Sequence, residues 1–99
     1  MNEKKLGKVL KDAANNNKIK TGFKEVSQYI KGTKLLVISK SLPEDSEEKL
    51  RRIAEEGKVT VINYPGNSVS LGRLCSLSYG TSVVSLKNVT DEEINDITS

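Results

Sequence analysis

The sequence predicts an α/β fold, a sheet sandwiched between helix layers, and three observations carry that expectation. Apolar spacing alternates between helical and extended patterns, a helix-then-strand pair four times over with a helix at the end. The stretch Leu35-Leu36-Val37-Ile38 is continuously apolar, as a strand covered on both faces must be. Glycines, prolines and capping residues fall at the junctions between these patterns. Ninety-nine residues with 35% hydrophobic content fit one domain, residues 1–99, with a single core.

Each element has its own signal. Leu6, Val9, Leu10, Ala13 and Ala14 recur at helical spacing, which predicts a first helix over about residues 3–14, ended by Asn15-Asn16-Asn17. Its outer face carries Lys4, Lys5, Lys8 and Lys11, a pattern that solvation alone explains. Ile19 between two lysines reads as a half-exposed first strand. Val26, Tyr29 and Ile30 then make the apolar stripe of a second helix, with Gly32 as its stop. After the Lys34–Ser39 strand, Ser41 and Glu44 have capping-box spacing and Pro43 suits a first turn. That third helix buries Leu50, Ile53 and Ala54, puts its acids first and its bases later as the helix dipole favours, and stops at Gly57. Val59–Ile62 is a third strand. Asn67-Ser68 can cap a short helix burying Leu71, Leu74 and Cys75, and Ser82–Leu86 is a fourth strand. Thr90 with Glu93 repeats the capping-box spacing ahead of a last helix that docks through Ile94 and Ile97.

Composition excludes several classes of function. Histidine is absent and Cys75 is the only cysteine, so the usual general base, zinc ligand and Ser-His or Cys-His pairs are missing. Cys75 reads as a small buried hydrophobe. Neither Gly-x-Gly-x-x-Gly nor a phosphate-loop pattern is present. No run reaches the roughly 20 apolar residues of a membrane helix, and the amphipathic start does not look like a signal peptide. Carboxylate chemistry stays open, but an enzyme is well down the list; a cytosolic protein without cofactor, small-molecule substrate or membrane partner is expected.

The net charge of +3 conceals an asymmetry. Residues 1–40 hold ten lysines against Glu3, Asp12 and Glu25, a local balance of +7, and residues 41–99 stand at −4. The basic half contains the stretch around which the chain is organised, Lys18 to Ile30. There a strand runs into a helix through Gly22, which lets a foreign backbone approach closely. Lys18, Lys20 and Lys24 add charge at the same end. Nucleic acid is the polyanion that such a face fits.

With these elements in order, Thr21-Gly22-Phe23-Lys24, the strand Leu35–Ile38, the turn to Pro43 and Tyr64-Pro65-Gly66-Asn67-Ser68-Val69-Ser70-Leu71-Gly72 can be taken together. Over about residues 5–86 the chain resembles the "L thirty e" family of archaeal and eukaryal large-subunit ribosomal proteins, within the kink-turn-binding superfamily. The resemblance implies a three-layer α/β/α sandwich with a small four-stranded mixed sheet, no catalysis, and binding to kink-turns of ribosomal RNA beside other large-subunit components. It implies a site on three neighbouring loops. The first would contribute Lys20, Thr21, Gly22, Phe23 and Lys24, with Lys24 reaching a base edge or a phosphate. The second, Ser39-Lys40-Ser41, lacks the asparagine that relatives often carry, which leaves Lys40 as a phosphate contact. The third would contribute Tyr79, Gly80 and Thr81, with the ring of Tyr79 against a base. Residues 87–99 fall outside the resemblance.

The residues leave some choices open. Tyr79 fits a core aromatic as well as a stacking platform, and Phe23 fits core packing better than stacking. A sibling role in a small nucleolar or spliceosomal particle would use the same fold and RNA motif. A protein-interaction module working through the acidic half is the alternative of another class.

Overall fold

The structure, a computed structural model, describes residues 2–98. Helices α1 (Glu3–Asn15), α2 (Phe23–Gln28), α3 (Glu44–Gly57), α4 (Ser68–Leu74) and α5 (Asp91–Thr98) alternate with strands β1 (Ile19–Thr21), β2 (Leu35–Ile38), β3 (Thr60–Asn63) and β4 (Val83–Leu86). The strands form one mixed sheet in the order β1-β4-β2-β3. Strands β2 and β3 are parallel, and β4 runs antiparallel to both β2 and β1.

The pleat divides the core in two. Leu35, Val37, Val84, Leu86 and Ile62 face one side, where they pack with Leu6, Val9 and Leu10 of α1, Leu71 and Cys75 at α4, and Ile94 and Ile97 of α5. Leu36, Ile38 and Val83 face the other, against Val26 of α2 and Leu50 and Ala54 of α3, with Leu42 beside them. All four residues of β2 and all four of β4 are buried, because both are inner strands with helices above and below. The result is an α/β/α sandwich.

The helix ends show where local signals were read correctly and where tertiary contacts overrode them. Thr90 and Glu93 form the expected reciprocal box: Glu93 N–H donates to Thr90 Oγ1 at 3.1 Å, and Thr90 N–H donates to a Glu93 carboxylate oxygen at 3.2 Å. Asn67 caps α4 by accepting from Ser70 N–H at 2.9 Å. Asn2, which the sequence reading did not single out, caps α1 in the same way through Lys5 N–H.

Three expectations are corrected. Ser41 does not cap α3: its hydroxyl accepts from Ser68 N–H at 3.0 Å, and Pro43 takes the cap position. The helix stops at Lys58, not Gly57, with Lys58 at φ 57° and its N–H returning to the carbonyls of Ala54 and Glu55. Helix α2 ends at Gln28, so Tyr29 leaves the predicted apolar stripe and is 46% exposed. Ser27 Oγ donates to the Phe23 carbonyl at 2.7 Å, a back-bond that weakens a short helix. Gly32, at φ +85°, serves the turn into β2 instead.

Residues 87–98, which the sequence resemblance did not reach, complete the first half of the core. Ile97 is fully buried, and Asn2 N–H donates to its carbonyl at 2.7 Å, which fastens the start of α1 to the end of α5.

Burial in this half of the core also governs Cys75, whose thiol pKa is pushed up to about 12 because the thiolate would lose its hydration. The thiol is therefore expected to resist alkylation of the native protein at pH 8 and to react at an ordinary rate once the chain is unfolded in urea. Mass spectrometry of iodoacetamide-treated samples measures both.

Candidate nucleic-acid interface

Strands β1, β2 and β3 point the same way, so Thr21, Ile38 and Asn63 end at one edge of the sheet. Strand β4, running against them, starts at that edge with Val83. The three loops named from sequence therefore lie side by side: Gly22-Phe23-Lys24, then Tyr79-Gly80-Thr81, then Ser39-Lys40-Ser41, with the β3–α4 turn beyond.

Hydrogen bonds tie these loops to one another. Gly22 N–H is shared between the Val83 carbonyl and Thr81 Oγ1, each at 3.1 Å. Thr81 Oγ1 itself donates to the Val83 carbonyl at 2.7 Å. Ser39 donates to the Ser82 carbonyl through both its N–H and its hydroxyl, at 2.9 Å each. Thr81 N–H donates to the Ser68 carbonyl at 3.0 Å, and Lys40 N–H to that of Gly66 at 3.0 Å. Short serine and threonine hydroxyls here replace the strand ladder just beyond its end.

Two glycines are required by geometry. Gly22 sits at φ +83°, ψ +146°, a region nearly closed to L side chains, and this lets β1 turn directly into α2. A Cβ on it would meet nothing within 4 Å, so the constraint is conformational and the space above it is open. Gly72 is the opposite case. A Cβ there would stand 2.2 Å from the Tyr79 carbonyl oxygen and 3.0 Å from Gly80 Cα, because α4 packs on the backbone of the third loop. The Leu71-Gly72 pair thus sets the height of Tyr79.

The side chains of the candidate site take three kinds of position. Lys24 and Lys40 are exposed, and Lys20 is half-buried with its ammonium 3.9 Å from Glu25 and 5.1 Å from the centre of the Tyr29 ring. Tyr79 is 57% exposed, which removes the core-aromatic alternative, and its hydroxyl lies 3.4 Å from Thr21 Oγ1. Phe23 is half-buried and packs on the Leu36–Val26 half of the core. Thr81 is only 5% exposed with its hydroxyl engaged, so its side chain positions the loop and is not offered to a ligand. Gly80 is exposed, and a Cβ on it would approach the Ser68 carbonyl at 3.2 Å.

Charge is uneven along this edge. Lys20 and Lys24 stand where β1 turns into α2, with Glu25 as the neighbouring carboxylate, whereas Lys18 lies at the other end of β1 in a concavity it shares with Asp12 and Glu93. Lys40 shares its loop with the first-turn acids of α3, Glu44 and Asp45. Lysine therefore outnumbers acid at the β1 end and does not at the Lys40 end.

Sequence reasoning missed the bracing hydroxyls of Ser39 and Ser41, whose chemistry reads equally well as capping. It also missed exposed Tyr29 beside Lys20. The available signal was the i, i+4 pair of Glu25 and Tyr29, which one helical face brings to the lysine.

A sandwich whose loops converge at one edge, with a glycine-opened helix and a glycine-packed third loop, defines a class that comparison identifies. The chain belongs to the ribosomal protein L7Ae/L30e/S12e/Gadd45 family, whose sequence model matches residues 4–95. It is 28% identical over 90 residues to the large ribosomal subunit protein eL30 of Saccharolobus solfataricus, covering 89% of this chain and 83% of that protein. It is 27% identical over 94 residues to eL30 of Dictyostelium discoideum, covering 93% and 84%. A solved structure of a protein of unknown function from Bacillus halodurans shares the fold, with a TM-score of 0.79 at 18% identity over 91% of this chain and 93% of that one.

The two glycines give separable outcomes in urea unfolding. Gly22→Ala should cost about 1–3 kcal/mol through backbone strain alone. Gly72→Ala must displace backbone and should cost about 3 kcal/mol or more. Equal, negligible losses at both positions would contradict this account of the loop scaffold.

Proposed function

We propose that this protein is a structural, RNA-binding component of the large ribosomal subunit that holds a kink-turn-like element of ribosomal RNA at the three-loop edge. The carrying observation is the convergence of the Gly22, Lys40 and Tyr79 loops at one edge, braced by the Gly22–Thr81–Val83 hydrogen bonds. Family membership and the two eL30 relatives support the reading. RNA is read through bulges and splayed bases by stacking and edge hydrogen bonds, while phosphate contacts supply much of the affinity.

The residues divide this work. Open space over Gly22 admits the RNA backbone. Lys24, exposed at the start of α2, reaches a base edge, and Lys20 adds charge on the same side. Lys40 meets a phosphate, where an amide side chain would have given bidentate base readout. Tyr79 and Gly80 face a base, and Thr21 holds the tyrosine hydroxyl. Phe23 and Thr81 set the loops in place. The working location is the ribosome in the cytoplasm, and no step of chemistry or cofactor is involved.

Binding to a kink-turn RNA, compared with the same duplex after its tandem G·A pairs are replaced by Watson–Crick pairs, tests the reading. Equal binding to the two RNAs would overturn it. Co-migration with large subunits on a sucrose gradient tests the ribosomal assignment separately.

Variants apportion the contacts. Lys24→Ala should lose about 1–3 kcal/mol of affinity, and Lys40→Ala should make the salt slope shallower by about one unit or less. Tyr79→Phe should bind almost normally and Tyr79→Ala should lose about 1–3 kcal/mol with an unchanged salt slope. Fluorescence anisotropy across a salt series reads all of these.

A further inference from the structure

Tyr29 lies outside the three loops, yet it is among the most exposed large apolar side chains of the described residues. Two neighbouring features give it company. Strand β1 is an outer strand, paired with β4 alone. Gly22 N–H bonds to the Val83 carbonyl, so positions 22/83 and 20/85 are hydrogen-bonded pairs. The N–H and C=O groups of Ile19 and Thr21 therefore point to the open edge. On either side of that edge lies a concavity, one of about 290 Å³ under Tyr79 and one of about 520 Å³ bounded by Tyr29, and both are lined by Thr21 and Glu25. The Lys20–Glu25 pair stands between them, with the lysine ammonium against the Tyr29 ring.

We propose that this trough, running from Tyr79 around the open edge of β1 to Tyr29, binds a single-stranded stretch of RNA that continues from the kink-turn. The inference rests on the kink-turn reading and extends it to a second subsite. Two exposed aromatic rings, a lysine between them and free backbone donors and acceptors are the parts of a single-strand platform: bases stack on the rings, and the lysine follows the backbone. Charge argues for RNA as the occupant, since the trough is lined by Lys20 and Lys24 with Glu25 as its one carboxylate. Continuity argues for the same RNA, since Tyr79 belongs both to the third loop and to the trough. The Lys20–Glu25 pair is solvent-exposed and long at 3.9 Å, so a phosphate can take the lysine from the carboxylate at little cost.

The experiment uses the full chain, a minimal kink-turn duplex and a set of variants of the same duplex, each carrying a single-stranded extension of about six nucleotides. The extension is placed on each strand end in turn. One of the extended RNAs should bind the wild-type chain about fivefold to a hundredfold more tightly than the minimal duplex. Tyr29→Ala should abolish that gain and leave affinity for the minimal duplex unchanged, and Tyr29→Phe should preserve both. Because the Tyr29 ring is exposed, circular dichroism should find the Tyr29→Ala variant folded. Equal affinities for the minimal duplex and every extended RNA overturn this inference alone and leave the open edge of β1 to a peptide strand. So does a gain that survives Tyr29→Ala, or a Tyr29→Ala loss of the same size on the minimal duplex. Failure of the wild-type chain to bind any of the RNAs overturns the kink-turn reading and this inference together.

Discussion

Because β4 runs against both of its neighbours, chain segments far apart in sequence end at one edge of the sheet. An all-parallel arrangement of the same four strands would send the start of β4 to the opposite edge, and Tyr79 with it. The hydroxyls then finish what the strand direction begins. Thr81 Oγ1 accepts from Gly22 and donates to Val83, so one buried atom fixes the relation between the first and third loops. Ser39 does the same for the second loop through the Ser82 carbonyl. Such buried polar links are costly to leave unmade and correspondingly specific about geometry.

The glycines complete this scaffold by opposite means. Gly22 supplies a backbone angle and leaves space above itself, whereas Gly72 supplies space and no unusual angle. The first keeps the surface accessible, and the second brings the backbone of the third loop down onto α4. Around them charge is graded, not uniform, because the acids that favour the start of α3 lie next to Lys40. The excess of lysine over acid accordingly lies toward β1.

Much of this was legible in the residues and some could not have been. The layer architecture follows from apolar spacing, and Leu35–Ile38 announced an inner strand because no polar face was needed. The reciprocal Thr90–Glu93 box and the Asn67 cap were equally plain. Periodicity says which face a residue occupies, however, and not which strand lies beside it, so the β1-β4-β2-β3 order was not written in the spacing. Ser41 misled because a hydroxyl that can cap its own helix can equally accept from Ser68, and only the fold chooses. Tyr29 misled because three apolar positions cannot distinguish a helix that continues through Ile30 from one that ends at Gln28. For the site, glycine and lysine identities were readable at Gly22 and Lys24, while the packing need at Gly72 arises from a loop seven residues away.

The position of β4 in the chain also sets an order of events during synthesis. Strand β1 pairs only with β4, and β2 reaches β1 only through it. While residues 81–86 are still unmade, the three residues of β1 have no ladder, and Gly22 lacks both of its acceptors. The nascent lysine-rich half must wait for a segment that emerges late, a non-local closure of the kind that slows folding. Until then the chain offers charge without shape. The three loops can meet only once β4 is in place, so selective contact waits until that strand has been made.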